Sequence, residues 1–360
     1  MVLVSGILRP SAKARAPGLQ TPCALARSGA AVAIGVAPNT RIVVGARNPG
    51  SVAGILRVVA DIPLPGRPVR FDYQSLDPIS GQLYISHMDD GHVIAFDTRT
   101  RRVSGNVADA PRVTGVWVVP RLHKLYASVT GHHQVAVIDL PALTVRATAG
   151  PIGFPDGIAD VPGIDRIFVS DESVGHELVI DGATDTVIQT IPLGGEAGNT
   201  RYDAGSGCVL VAVQTLNQIV AIDPVRAAVV GRFALARSNR PHGMLVDSPN
   251  RLLYVANEGN ATVEVVDLRT LRITDIQSVG GDPDVLAFDP AWHRLYVATE
   301  SGGLWVYHVN GQKLALAGVL DLPHAHSVAV DATRHEVYLP LQSLDGHPTL
   351  RILAETQSGP

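Results

Sequence analysis

Asp72, His242, Asp284 and His326 carry side chains that bind divalent metals and move protons, and all four occupy one repeated position of the chain. Each stands twelve residues before an anchor residue, and Thr114, Asp156 and Gly198 complete the set. Imidazoles and carboxylates converging on one point suit Zn, Mn or Fe. A carboxylate-and-Asn site would suit Ca instead. Two positions further back lie Arg70, Arg112, Phe154, Glu196, Arg240, Asp282 and His324. Positions two apart on a strand share a face, so the spacing predicts two stacked polar rings. The segments after the second strand of the repeats add His87, Asp171, Glu172, Asn257, Glu258 and Glu300. The candidate ligand-binding residues are Asp72, Asp156, His242, Asp284, His326, Asn257, Glu258 and Glu300. His242, Asp284 and His326 are the candidate metal ligands, a divalent Ca or Zn is the candidate cofactor, and no catalytic residue is assigned. The plainer reading is that these groups solvate a water-filled channel and pair with the Arg ring.

Seven anchors set this register: Tyr84, Tyr126, Phe168, Leu210, Tyr254, Tyr296 and Tyr338. Their spacings are 42, 42, 42, 44, 42 and 42 residues, within phrases such as QLYIS, KLYAS and RLYVA. A repeat of that length built from strands and turns is a propeller blade. The predicted fold is therefore an all-β, seven-bladed β-propeller of four-stranded antiparallel blades. In the repeat beginning at Arg240, strands are expected at Met244–Val246, Leu252–Ala256, Thr262–Val266 and Leu271–Ile276, separated by turn clusters. Asp97, Asp139, Asp181, Asp223 and Asp267 each follow an anchor by thirteen residues. A carboxylate there is expected to accept backbone N–H bonds and start a turn, not to form a site.

The last repeat ends after its third strand, Leu350 to Leu353, while an orphan strand, Ile55 to Leu64, precedes the first. The N-terminal strand is thus expected to complete the last blade and remove the open edges. Residues 53–357 form the propeller on this reading. Residues 1–52 form an N-terminal tail outside it, either a disordered linker or a signal peptide. The export reading rests on Arg9, Lys13, Arg15 and Arg27 ahead of an apolar stretch from Gly29 to Ala37; otherwise the chain is expected in the cytoplasm.

Of the 360 residues, 46% are hydrophobic and 17% charged, enough apolar material for a large core. Net charge is −4, and no Lys/Arg run interleaves with aromatics, which disfavours nucleic acid as a partner. No apolar run reaches the length of a membrane span. Cys23 and Cys208 lie far apart in unlike settings. Cys208 is expected to be a small buried hydrophobe, with no disulfide framework.

The phrase LLYVANEGNATVEVVDLRT at 252–270 resembles the repeat of YVTN-type, YncE-like β-propeller proteins, as do PDVLAFDPAWHRLYVATESG at 283–302 and HSVAVDATRHEVYLPL at 326–341. The resemblance extends over residues 54–355. It implies a seven-bladed propeller from a group that is mostly bacterial and often exported. It implies no catalytic residues, because the shared positions are those of the blade scaffold. The expected function is a non-enzymatic, monomeric binding propeller taking a small polar ligand or a protein partner at the channel mouth. The alternative is a metal-dependent, lactonase-like hydrolase with an axial metal and Glu258, Glu300 or His326 as base. A quinone-dependent dehydrogenase is disfavoured by the seven blades and three Trp residues.

Overall fold

The computed structural model describes residues 23–25, 54–322 and 324–356. Its strands form seven four-stranded antiparallel sheets, each a consecutive meander except the last. Blade one runs Gln74–Asp77, Gln82–His87, His92–Asp97 and Arg102–Val107. Blade five runs Pro241–Asp247, Leu252–Asn257, Thr262–Asp267 and Arg272–Ser278. Inner strands of consecutive blades touch, and that of blade one also meets that of blade seven, so the array is a closed ring. The seventh blade combines Ala329–Asp331, Glu336–Leu344 and His347–Glu355 with Leu56–Pro63, which pairs antiparallel with His347–Glu355. Closure by the N-terminal strand follows the expectation, and it joins the two ends of the propeller in one four-stranded sheet.

Each anchor is buried, and each lies between two blades. Tyr126 packs with Ile158 and Ile167 of blade three, and Phe168 with Val209 and Val211 of blade four. Leu210 packs with Met244 and Leu253 of blade five, Tyr254 with Leu286 and Leu295 of blade six. Tyr338 packs with Leu83 and Phe71 of blade one across the closure. A second-strand residue facing the neighbouring sheet is forced by alternation to repeat once per blade, hence the sequence period.

The Asp turns follow from chemistry already in the sequence. Oδ1 of Asp97 accepts from the backbone N–H of Arg99 and Thr100, Asp181 from Ala183 and Thr184, Asp223 from Val225 and Arg226, and Asp267 from Arg269. Asp139 departs from this because Pro141, two residues on, has no N–H; its carboxylate accepts from Arg146 instead.

One expectation is overturned. Cys23 and Cys208 form a disulfide, with Cα atoms 4.7 Å apart. Alongside it the Ala24 N–H donates to the Ser206 carbonyl at 3.0 Å, and Leu25 packs on the core of blades four and five. Distance along the sequence carried no information about this pairing, because the ring brings blade four past the tail. The Gly29–Ala37 stretch lies outside the described residues. Cys23 precedes it, so cleavage after Ala37 would sever Cys23 from the propeller backbone.

Glu264 is buried between blades, where Ser238 Oγ donates to it at 2.8 Å. Burial pushes its carboxyl up to about 7, with Ser238, Arg237 and Asn257 only partly opposing. A raised folded pKa favours the protonated folded state. The contribution is full below the ordinary value of 4.5 and is lost as pH rises through about 7. The loss is at most roughly 3 kcal/mol. In Glu264→Gln, melting temperature is expected to fall less than in wild type between pH 5 and 8; equal profiles would remove this assignment. Phe168→Ala is expected to cost about 3–5 kcal/mol in urea unfolding, since it empties a wedge between blades three and four.

Candidate functional site

The site is built on an irregularity shared by the inner strands. Pairing shifts between Val113 and Val116, Pro155 and Ile158, Ala197 and Thr200, Pro241 and Met244, and Pro283 and Leu286. Two residues per strand therefore leave the ladder at the start of each of these blades. In blade one the ladder begins only at Gln74, and in blade seven only at Ala329. Thr114-Gly115, Asp156-Gly157, Gly198-Asn199, His242-Gly243 and Asp284-Val285 occupy these bulges, and Asp72-Tyr73 and His326-Ser327 lie ahead of the ladder in blades one and seven. Bulges re-aim side chains that regular alternation would send elsewhere. Glycine is required at two of the positions. A Cβ on Gly243 would lie 1.6 Å from the Asp284 carbonyl oxygen, and one on Gly115 would lie 2.0 Å from that of Asp156.

Asp72, Asp156, His242, Asp284 and His326 are all buried at the start of the channel. His326 Nε2 lies 3.1 Å from Asp72 Oδ1 and 3.0 Å from Asp284 Oδ2. His242 Nε2 lies 3.3 Å from Asp284 Oδ1 and 3.7 Å from Asp156 Oδ2. Asp284 thus bridges both imidazoles. Thr114 instead donates to the Pro155 carbonyl at 2.9 Å, and Gly198 leaves room for His242. The ionisable residues consequently form an arc over blades five, six, seven and one, with Asp156 facing it from blade three.

Burial opposes charge on His242, but the carboxylates of Asp284, Glu258, Asp156 and Glu172 overcome it and raise the pKa to about 9. Burial likewise opposes charge on His326, yet Asp284 and Asp72 hold it up to about 10. Asp284 sits well below the usual carboxylate range despite burial, because both imidazoles and the Tyr73 hydroxyl stabilise its charge. Asp156 goes the other way. Burial, with the charges of Asp72, Glu172 and Asp284, lifts it to about 8 against the pull of His242. Carboxyls of opposite state thus face each other across one channel.

The outer tier is only partly assembled. Arg70 donates to Glu300 at 2.9 and 3.3 Å and has Nη2 3.2 Å from His326 Nε2. Arg240 donates to Glu196 at 3.0 and 3.3 Å and to Gln214 at 2.9 Å, with Glu258 3.7 Å away. Each imidazole Nδ1 faces one loop glutamate: Glu300 at 3.4 Å for His326 and Glu258 at 3.7 Å for His242. Arg112, Asp282 and His324 are exposed and have positive φ of 52, 51 and 62°. Arg240 shares this backbone with φ of 53° and still reaches Glu196, so side-chain reach and partner decide which of these residues join, and the predicted complete second ring does not form. Arg112 lies over the Phe154 ring at 6.0 Å.

Three loop residues are placed away from the arc. Asn257 is buried in its own blade, donating to Thr262 Oγ1 at 3.1 Å. His87 stacks on Phe71 with ring centroids 4.1 Å apart. Asp171 accepts from the backbone N–H of Gly153 and Phe154. Glu172 does reach the site. It accepts from Gln214 at 3.0 Å and lines an open cleft of about 650 Å³ with Phe154, Ser173, Val174, Gly175, Gly194, Gly195 and Glu196.

Tyr73 and Asn199 were not among the sequence candidates, yet they sit at the centre. The Tyr73 hydroxyl donates to Asp284 Oδ1 at 3.0 Å, accepts from Asn199 Nδ2 at 3.1 Å, and lies 3.2 Å from His242 Nε2. It reaches across the ring from blade one to blades four, five and six. The signal was present one position after the ring residues, where blades two, three and five carry Gly115, Gly157 and Gly243. Large polar residues in a glycine column mark an altered use.

No family model and no curated protein matches the chain. Among solved structures, a chain of Kuenenia stuttgartiensis hydrazine synthase is similar, with a TM-score of 0.69 at 15% identity. The likeness covers 82% of this chain and 97% of that one. It is a likeness of fold. The YVTN-type resemblance accordingly stands at the level of the seven-bladed β-propeller, and the fold is host to many unrelated functions.

Thiol titration of denatured, unreduced protein is expected to find neither cysteine reactive, and both after reduction. Two reactive thiols before reduction would remove the tether.

Proposed function

We propose that this protein is a non-enzymatic binding propeller that holds a small polar ligand bearing a positive charge at the mouth of its channel. The observation that carries this reading is the charge of the mouth. The carboxylates of Asp72, Asp284, Glu172, Glu196, Glu258 and Glu300 outnumber the guanidiniums of Arg70, Arg201 and Arg240 together with the two charged imidazoles, and Glu172 and Glu196 are the pair that faces the open cleft. The cleft of about 650 Å³ beside the arc has the size of a small-ligand site and offers the Phe154 ring next to Glu172 and Glu196. Its carboxylates are held open by neighbours: Glu172 by Gln214 and Glu196 by Arg240. Burial raises the Glu172 carboxyl, with the His242 charge opposing, so an incoming ammonium group would stabilise its ionised form. The Cys23–Cys208 cross-link supports an oxidising, extracytoplasmic compartment, where such a protein would meet solutes from outside. Among the described residues no helix is long and apolar enough to cross a membrane. The hydrolase alternative is favoured only by the Asp72, Asp284 and His326 cluster.

A panel of small alkylammonium and guanidinium compounds tests the reading by thermal melting. At least one is expected to raise the wild-type midpoint by about 2 °C or more at saturating concentration. The shift is expected to vanish in the Glu172→Gln/Glu196→Gln double variant. No shift with any compound, or equal shifts in both proteins, would sink the proposal.

A further inference from the structure

Asp72, Asp284 and His326 come from three adjacent blades, and their ligand atoms lie within 4.8 Å of one another. We propose that these three side chains hold one divalent transition-metal ion of the Zn(II) type at the start of the channel. The inference deepens the reading of the channel mouth as a ligand site by naming a second occupant, on blades six, seven and one, apart from the cleft of blades three and four.

The spacing of the ligand atoms is the first support. An ion with bonds of about 2.0–2.1 Å sets neighbouring ligand atoms about 3.0–3.4 Å apart, depending on coordination number. His326 Nε2 stands 3.1 Å from Asp72 Oδ1 and 3.0 Å from Asp284 Oδ2, within that range, and the Asp72 and Asp284 oxygens lie within 4.8 Å of each other, close enough for an entering ion to draw them together.

The second support is that His326 Nε2 is over-subscribed. It faces the two carboxylate oxygens and also Arg70 Nη2 at 3.2 Å. An imidazole nitrogen has one hydrogen or one lone pair, so it cannot serve two acceptors and a donor together. A cation among the three ligand atoms would satisfy both carboxylates and the lone pair at once.

The other face of the same ring is an independent observation. His326 is buried, and its Nδ1 has no hydrogen-bond partner although Glu300 Oε1 lies 3.4 Å away. Arg70 holds Glu300 in that position at 2.9 Å. Metal-bound histidines use this arrangement, in which a carboxylate accepts from the outer nitrogen and fixes the tautomer. Facing the arc from blade three, Asp156 Oδ2 is a further buried polar atom without a hydrogen-bond partner.

The donor types select the ion. Two carboxylate oxygens and one imidazole nitrogen fall short of the six to eight oxygens that Ca takes. They match three-ligand Zn sites that keep a position for water or a bound group. Tyr73, on the other oxygen of Asp284, orients that carboxylate.

The test uses the full chain without a histidine tag, stripped with EDTA and titrated with zinc chloride by calorimetry. One zinc per chain, confirmed by elemental analysis after gel filtration, is expected. Asp284→Asn and His326→Gln are each expected to weaken binding by more than about 100-fold, and Glu300→Gln by about 10–100-fold, the loss typical of an outer partner. Visible absorption of the wild-type chain with cobalt(II) gives a readout that needs no variant to fold. Absence of both stoichiometric zinc and a cobalt(II) band would overturn the site, as would undiminished binding by folded Asp284→Asn. Glu172 and Glu196 take no part in this set, so the ammonium site and the metal site can fail separately.

Discussion

The ring depends on one packing event repeated seven times: a large side chain on the second strand of each blade wedged against the next sheet. Tyr126, Tyr254, Tyr296 and Tyr338 are among the largest fully buried side chains in the protein. Each needs a neighbour on one side only, so no blade can satisfy its own anchor. Blades therefore stack until the last meets the first. The tyrosines also carry hydroxyls to the interface, where Tyr338 donates to Glu336 at 2.8 Å and Tyr296 to Glu355 at 3.2 Å. Glu355 belongs to the last strand of the chain, so an anchor of blade six helps hold the closing blade.

Closure has a consequence for charge. Seven inner strands directed at one axis bring their first residues together whether or not those residues attract one another. Burying Asp72, Asp156, Asp284, His242 and His326 at one point is unfavourable unless their charges are matched. Asp284 between two imidazoles supplies most of the match, Tyr73 and Asn199 supply neutral hydrogen bonds, and Arg70 and Arg240 cover the rim. Asp156 stays protonated to higher pH than an ordinary carboxyl because this compensation does not reach it fully. Such an imbalance is costly for a scaffold and useful for a site that takes up a cation.

The bulges connect the two halves of this design. In blades two to six they release two residues per inner strand from the ladder, which lets side chains of consecutive residues serve the channel. Glycine fills the second place wherever neighbouring backbones come closest. Blades one and four use that place for Tyr73 and Asn199, and these two make the arc a connected network in place of a set of isolated groups.

The period of the anchors, the Asp turns and the orphan N-terminal strand determined seven blades and their closure, because each is a local rule read at a fixed spacing. The same register brought Asp72, Asp156, His242, Asp284 and His326 to one channel, with Glu258 and Glu300 above them. It could not show that Asn257 turns into its own blade or that Arg112, Asp282 and His324 leave the ring, since these three precede their strands and strand alternation does not govern them. Tyr73 crossing to Asp284 and the bond between Cys23 and Cys208 were decided only by the tertiary structure. Each joins residues from distant parts of the chain, and their separation depends on the radius and closure of the whole ring, which no local pattern encodes.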